Sequence, residues 1–476
     1  MRTSQEYREK LFKMRNNIYM DGELVGRDDP RIAPGINVVN QTYDMAEDPQ
    51  YDGIMTATSH LSGEKINRFC HIHQSVDDLL NKQKMTRLYC QKTGGCIQRC
   101  MGIDAMNALS VITYATDQAM GTEYNKRYLK YLAYFQENDL TANCAQTDVK
   151  GDRKKRPHEQ VDPDLYLRIV ERKSDGIVVR GAKAHNTIGP YADEIIVTPT
   201  RFLTAEESDW AVSFALPADW EGIHLVCRPS LPRPRQRLHA PMATYGDVES
   251  FTIFDDVFVP WERVFMCGER EYAGMLALLF ALYHRHSYTG CKPAASDVLM
   301  GFAALVAEYN GIEKAEHVRH KLAELISVAE LVYAAGIAAA VTAKRQASGT
   351  YTPDIVYCNV GRRHAGVNIY HEFEIVADLA GGLPATLPLE GDFYHEQIGP
   401  LMEKYIMRNP EISAENQHRC FRALSDAICS GQGSLAQIAG LHGGGSPVME
   451  AIAILGTYDL KAKKNIAKYL AGIPIE

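Results

Sequence analysis

Hydrophobic residues along this chain change period twice, and that pattern limits the fold more than any other feature. Over roughly residues 1–140 they recur at helical spacing: Tyr7, Leu11 and Met14, then Met101, Leu109 and Ile112, then Tyr128, Leu129, Leu132 and Phe135. Apolar side chains at i, i+4 and i+7 line one face of a helix with 3.6 residues per turn. Over roughly 141–272 the pattern shortens to strand-like runs at 165–170, 177–179, 195–197, 210–216, 223–227 and 251–259. Ser174-Asp175-Gly176 separates the first two of these runs, and Asp-Gly between β-branched segments is a hairpin signal. From 273 to 476 helices return, at 273–290, 294–309, 318–345 and 415–428. Several are apolar on most faces, so they are expected to be buried or to pack between subunits. The expectation is an α+β chain with an N-terminal helical domain (1–140), a central β domain (141–272) and a C-terminal helical bundle (273–476).

Composition excludes some functions. Net charge is −8, from 51 basic and 59 acidic residues. Nucleic-acid binding usually needs a basic face, so no nucleic-acid partner is expected. The longest apolar stretch, 331–343, is flanked by Glu330 and Lys344. It reads as too short to span a bilayer and as a buried helix. The first residues are polar, with no run typical of an export signal, so a cytoplasmic protein without membrane attachment is expected. The eleven cysteines are an odd number in a long chain, which argues against a disulfide framework.

Two cysteine-bearing segments carry the chemistry. In Gly94-Gly95-Cys96-Ile97-Gln98-Arg99-Cys100 the cysteines are four apart, which on a helix places them on one face. In Tyr283-His284-Arg285-His286-Ser287-Tyr288-Thr289-Gly290-Cys291, His284 and Cys291 are seven apart, again one face, with Tyr288 between them. Thiolates are the soft ligands of iron–sulfur clusters, and histidine can replace one. Two helices with two donors each could close a four-cornered cluster, although core packing produces the same spacings. Pro293 follows closely. Proline clashes with the carbonyl four residues back, here Thr289, so the helix is expected to kink or end around 290–292. Cys90 and Cys144 read as bystanders.

Helices, then a β domain, then a helical bundle is the order of the acyl-CoA dehydrogenase-like fold. The chain also resembles the 4-hydroxyphenylacetate 3-hydroxylase flavoprotein family, and within it the 4-hydroxybutyryl-CoA dehydratase branch. The resemblance runs nearly end to end. It is carried by Ile66-Asn67-Arg68-Phe69, His73-Gln74-Ser75, Gln91-Lys92-Thr93, Gln98-Arg99-Cys100, Gly151-Asp152-Arg153, Val179-Arg180-Gly181-Ala182-Lys183-Ala184-His185 and His442-Gly443.

The resemblance implies an oxygen-sensitive 4Fe–4S cluster on Cys96, Cys100, His284 and Cys291, together with FAD. It implies an acyl-CoA substrate, a homotetramer and a radical route from 4-hydroxybutyryl-CoA to crotonyl-CoA, with isomerisation of vinylacetyl-CoA as a related activity. His284 would be both ligand and base, and histidine suits proton transfer near neutral pH. Tyr288, Lys292 and Glu249 match positions for proton transfer or substrate placement, with Glu249 expected just before the strand at 251–259. Gln98 and Thr187 match polar positions near substrate and flavin, and Thr147, Asp148 and Lys150 run beside the flavin. Gly381 and Gly382, or the run Gly443-Gly444-Gly445, are candidates to hold the ADP half of FAD, since glycine lets a backbone approach a ligand closely.

The basic run from Lys150 to Arg156 is either a phosphate contact or a solvated patch. The loop with Arg228, Arg233, Arg235 and Arg237 reads as an exposed insert rather than a CoA contact. One departure stands out: Ala439 lies three residues before His442, where the resemblance to the dehydratase branch implies a glutamate. That leaves open a dehydratase with altered proton handling, an isomerase or a paralogue for another acyl-CoA, and a flavin-dependent monooxygenase of phenols is a separate alternative.

Overall fold

The computed structural model describes every residue except Ile97 and Glu476. Two β-sheets stack face to face at its centre. The larger has six strands, in the order Glu23–Val25, Ile18–Met20, Ile223–Ser230, Asp247–Pro260, Gly176–Thr187 and Arg168–Arg172. The smaller has four, in the order Val264–Cys267, Val212–Pro217, Glu194–Val197 and Ala142–Ala145. Val179, Leu225, Val248 and Phe254 from the first sheet meet Ile195, Val197, Phe214 and Leu216 from the second in one buried core. Phe214 and Phe254 cross edge to face with centroids 5.8 Å apart, a favoured aromatic geometry.

The Asp-Gly hairpin forms where expected, with the Lys173 amide donating to the Gly176 carbonyl at 2.8 Å. The segment before 140 is not purely helical. Ile18–Met20 pairs in parallel with Ile223–Ser230, so the N-terminus supplies two strands to the large sheet. The strand expected at 251–259 runs from Asp247 to Pro260. Glu249 therefore lies within the strand, two residues from Asp247 and on the same face.

The two helices expected at 273–290 and 294–309 are one helix, Arg270–Tyr309, with Pro293 inside it. Proline leaves the Thr289 carbonyl without its helical donor. Gln83 supplies a replacement, its Nε2 lying 3.2 Å from that oxygen. Gly290 lets the helix Val76–Thr93 approach: a Cβ there would stand 1.8 Å from Thr86 Oγ1. The break is thus repaired by a neighbour, and the helix continues.

Two further expectations are corrected. The helix Glu316–Val341 exposes Leu331, Ile337 and Val341 instead of burying them. It and Arg270–Tyr309 are among three helical segments long and apolar enough, by length and composition alone, to cross a membrane. The arginine loop is not a free insert. Arg235 is buried against Asp426, with NH2 2.5 Å from Oδ2, and Glu390 accepts the amides of Gln236 and Leu238.

Candidate active site

The helix Cys100–Met120, the long helix Arg270–Tyr309, the strand Asp247–Pro260 and the glycine-rich segment around Gly443 converge on one cavity of about 200 Å³. Eleven residues singled out from sequence line it: Cys96, Gln98, Cys100, Thr187, Glu249, His284, Tyr288, Cys291, Lys292, Ala439 and Gly443. Met101, Leu299, Ile369, Phe373 and Leu435 supply an apolar wall, the usual lining of a small-molecule site.

His284 and Cys291 share a face of the long helix, as their spacing implies. Cys96 does not share a helix with Cys100. The helix Val76–Thr93 ends at Gly94, whose φ of 72° is left-handed, and the next helix begins only at Cys100. Cys96 thus stands on the connecting segment and reaches the cavity from there. Cys90 is fully buried and lies beside Cys291, and Cys144 is buried near Thr198. Both stay outside the cavity lining.

Behind His284 lies a buried polar network. Its Nδ1 is 3.0 Å from Asp104 Oδ2 and 3.9 Å from Cys100 Sγ. Asp104 also accepts from Lys82 Nζ at 2.5 Å and from Ser287 Oγ at 2.9 Å. Burial alone would raise the Asp104 pKa. The Lys82 ammonium and the hydrogen bonds from His284 and Lys82 outweigh burial and hold that carboxyl below its usual range. Burial, the Asp104 charge and the nearby cysteines push the Cys100 thiol well above its usual range. A metal bound by Cys100 must displace that proton.

Two carboxyls, Asp247 and Glu249, line the same cavity. Glu249 Oε1 accepts from Thr187 Oγ1 at 2.8 Å, while Oε2 is buried with no partner among the described residues. Burial raises its pKa, against the Thr187 hydrogen bond. Asp247 accepts from Gln98 Nε2, and Gln98 Oε1 in turn accepts from Tyr191 OH. Burial first, and then the Glu249 charge, push Asp247 up to about 8.

A carboxyl raised in the fold stabilises the protein fully below its unfolded pKa, about 3.9, and loses that contribution as pH rises through the folded value. Asp247→Asn should therefore melt above the wild type in the metal-free protein. Its advantage should grow from about pH 4 and level off beyond about pH 8. A difference that stays flat across that window in urea or thermal melts would show Asp247 ionised throughout.

Tyr288 and Lys292 are held from behind. Tyr288 OH donates to the Gly440 carbonyl at 2.8 Å, and the Arg362 guanidinium lies 4.2 Å from its ring centroid. Burial raises its pKa despite that cation, so the phenol keeps its proton. Lys292 Nζ is 2.6 Å from the buried Glu372 and 2.9 Å from Ser296 Oγ.

Other sequence candidates lie away from the cavity lining. Thr147 and Lys150 offer their carbonyls to Ala184 N and Tyr166 OH, and Asp148 pairs with Lys183 at 2.7 Å. Gly381 caps the helix Ile355–Ala380 with a φ of 69°, beside Gly382. Sequence reasoning missed Lys82, Asp104, Asp247, Ser287 and Glu372. Asp104 alone carried a usable signal, standing one helical turn after Cys100.

The chain as a whole is similar to known proteins. The family models described as 4-hydroxyphenylacetate 3-hydroxylase N terminal and C terminal match residues 3–266 and 273–472. The 4-hydroxybutyryl-CoA dehydratase/vinylacetyl-CoA-Δ-isomerase of Clostridium aminobutyricum is 43% identical over 99% of both chains. A solved oxygen-tolerant archaeal 4-hydroxybutyryl-CoA dehydratase from N. maritimus superposes with a TM-score of 0.95 at 39% identity. That match covers 100% of this chain and 96% of that one. The oxygenase component of 4-hydroxyphenylacetate 3-monooxygenase, solved with FAD and 4-hydroxyphenylacetate, gives a TM-score of 0.88 at 28% identity over 99% of both chains. The chain belongs to the 4-hydroxyphenylacetate 3-hydroxylase family.

Proposed function

We propose that this chain is a lyase and isomerase of a short-chain acyl-CoA. It would dehydrate 4-hydroxybutyryl-CoA to crotonyl-CoA and move the double bond of vinylacetyl-CoA into conjugation. The observation that carries the reading is the meeting of three thiols and one imidazole in a single cavity with two carboxyls of raised pKa. Phenol hydroxylation has no use for that donor set.

The residues fit both groups. Cys96, Cys100, His284 and Cys291 offer three soft donors and one borderline donor, the mixture an iron–sulfur cluster takes. Gln98 and Thr187 border the same space, where a flavin edge would sit, and the 4-hydroxyphenylacetate relative was solved with FAD. When bound, the cluster would supply a Lewis-acid iron for the C4 oxygen, and the flavin a one-electron acceptor.

The chain's own side chains supply the rest. The apolar wall takes the acyl chain and excludes water. His284, aimed by Asp104 through Nδ1, would take the C2 proton that the thioester acidifies on Nε2 only while that nitrogen is not bound to iron. Glu249, whose pKa burial raises, would offer its unpartnered Oε2 for proton transfer. Tyr288 and Lys292 place the substrate from the long helix. Ala439 lines the cavity without contributing a carboxyl, so proton handling falls on the groups already named. We further propose an acyl-CoA dehydrogenase-like layout and a homotetramer, which would cover exposed apolar faces such as Leu331, Val341 and Val367.

Anaerobic assay of 4-hydroxybutyryl-CoA and vinylacetyl-CoA side by side, with iron and sulfide counted per chain, tests the proposal. Turnover of both, at about four irons per chain, is the expected result. Iron-free protein that hydroxylates a phenol with reduced flavin would overturn it.

A further inference from the structure

We infer that Asp104 is a positioning residue that fixes the tautomer of His284, keeping the lone pair on Nε2, and that Lys82 and Ser287 hold Asp104 in place for this. The inference rests on the proposed role of His284 as a cluster ligand.

Asp104 is completely buried, and so is Lys82. Both carboxylate oxygens are engaged. Oδ1 accepts from Lys82 at 2.5 Å and Ser287 at 3.0 Å, and Oδ2 accepts from Ser287 at 2.9 Å and faces His284 Nδ1 at 3.0 Å. An ionised carboxylate only accepts hydrogen bonds, so the shared proton belongs on Nδ1. That leaves the lone pair on Nε2, the nitrogen with no partner among the described residues. Lys82 also donates to the Tyr283 carbonyl at 3.0 Å, which ties the Val76–Thr93 helix to the long helix beside the imidazole.

The ring itself has little freedom. It stacks on Phe280 at 5.6 Å and 8°, and a Cβ on Gly444 would come within 3.2 Å of its Cδ2. Carboxylates behind metal-binding histidines set the tautomer and ring orientation in this way.

A different reading would make Asp104 a ligand itself, since donor atoms of Cys100, Asp104 and His284 lie within 4.8 Å of one another. The geometry opposes it. Each oxygen already accepts a hydrogen bond, and the Lys82 ammonium sits where a cation would have to approach.

Asp104→Asn is the test. An amide has one acceptor oxygen, and Lys82 claims it. The NH₂ group then faces Nδ1 and drives the ring proton to Nε2. Iron–sulfur retention after anaerobic reconstitution should fall about 10–100-fold. The histidine nitrogen hyperfine coupling in pulsed EPR of the reduced cluster should shift or vanish. Ser287→Ala leaves the charge and the bond to His284, and should cost about fivefold or less.

If Asp104→Asn does not fold, the double variant Lys82→Met/Asp104→Leu removes the buried pair together, which folds usually tolerate. It should show the same loss of retention and coupling. A variant lacking Asp104 that keeps wild-type loading and wild-type coupling overturns the inference. Wild-type protein that takes up no iron or sulfide instead overturns the reading on which it rests.

Discussion

Cys100→Ala should leave a folded protein whose iron content and dehydration activity collapse together to background. The side chain is buried at the first residue of its helix and lines the cavity beside His284. Replacing sulfur with hydrogen there removes one heavy atom and costs roughly 1 kcal/mol of burial, which a chain of this size withstands. The chemical loss is larger. A cluster corner without its thiolate becomes open to solvent, and the neighbouring Cys90, fully buried beside Cys291, is outside the cavity lining. Iron and sulfide analysis beside the two acyl-CoA assays gives the answer. Full activity in an iron-free variant would remove the cluster from the mechanism. Iron retained with activity lost would move Cys100 from binding to catalysis.

Glu249→Gln should cut turnover by about 10²–10⁴-fold, the usual loss when a general acid or base is removed, without changing cofactor content. Glutamine keeps the size of the side chain and an oxygen for Thr187 Oγ1, so the strand and the cavity wall survive. It has no exchangeable carboxyl proton, and the buried Oε2 is the atom that loses its function. The distinguishing readout is the split between kcat and KM. Loss of proton transfer lowers kcat, whereas loss of a binding contact raises KM. A variant within a few-fold of wild type in kcat would make Glu249 a structural partner of Thr187 and nothing more.

Parts of this site were legible because they obey one local period. His284 and Cys291 sit two turns apart on an unbroken helix, as their spacing requires. Glu249 became interpretable only with Asp247, since the strand begins earlier than its β-branched residues suggest. The Cys96–Cys100 pair was misread as helical, although Gly94-Gly95 carried the contrary signal: glycine in a left-handed conformation closes the preceding helix. Lys82 gave no local sign at all. Its partner lies twenty-two residues away, on another helix, and no period connects them. The helix end expected at Pro293 does not occur for the same reason, because the repair comes from Gln83. What local pattern cannot supply is the neighbour that answers a broken rule.

The continuous helix through Pro293 makes the two halves of the donor set unequal in what they could tolerate over time. One residue inserted between His284 and Cys291 would swing one donor about 100° around the axis relative to the other. The linker carrying Cys96 could absorb the same change by rearranging its backbone. A change of length around this pocket is therefore tolerable only in the connecting segment, while the register of the long rod has to stay fixed.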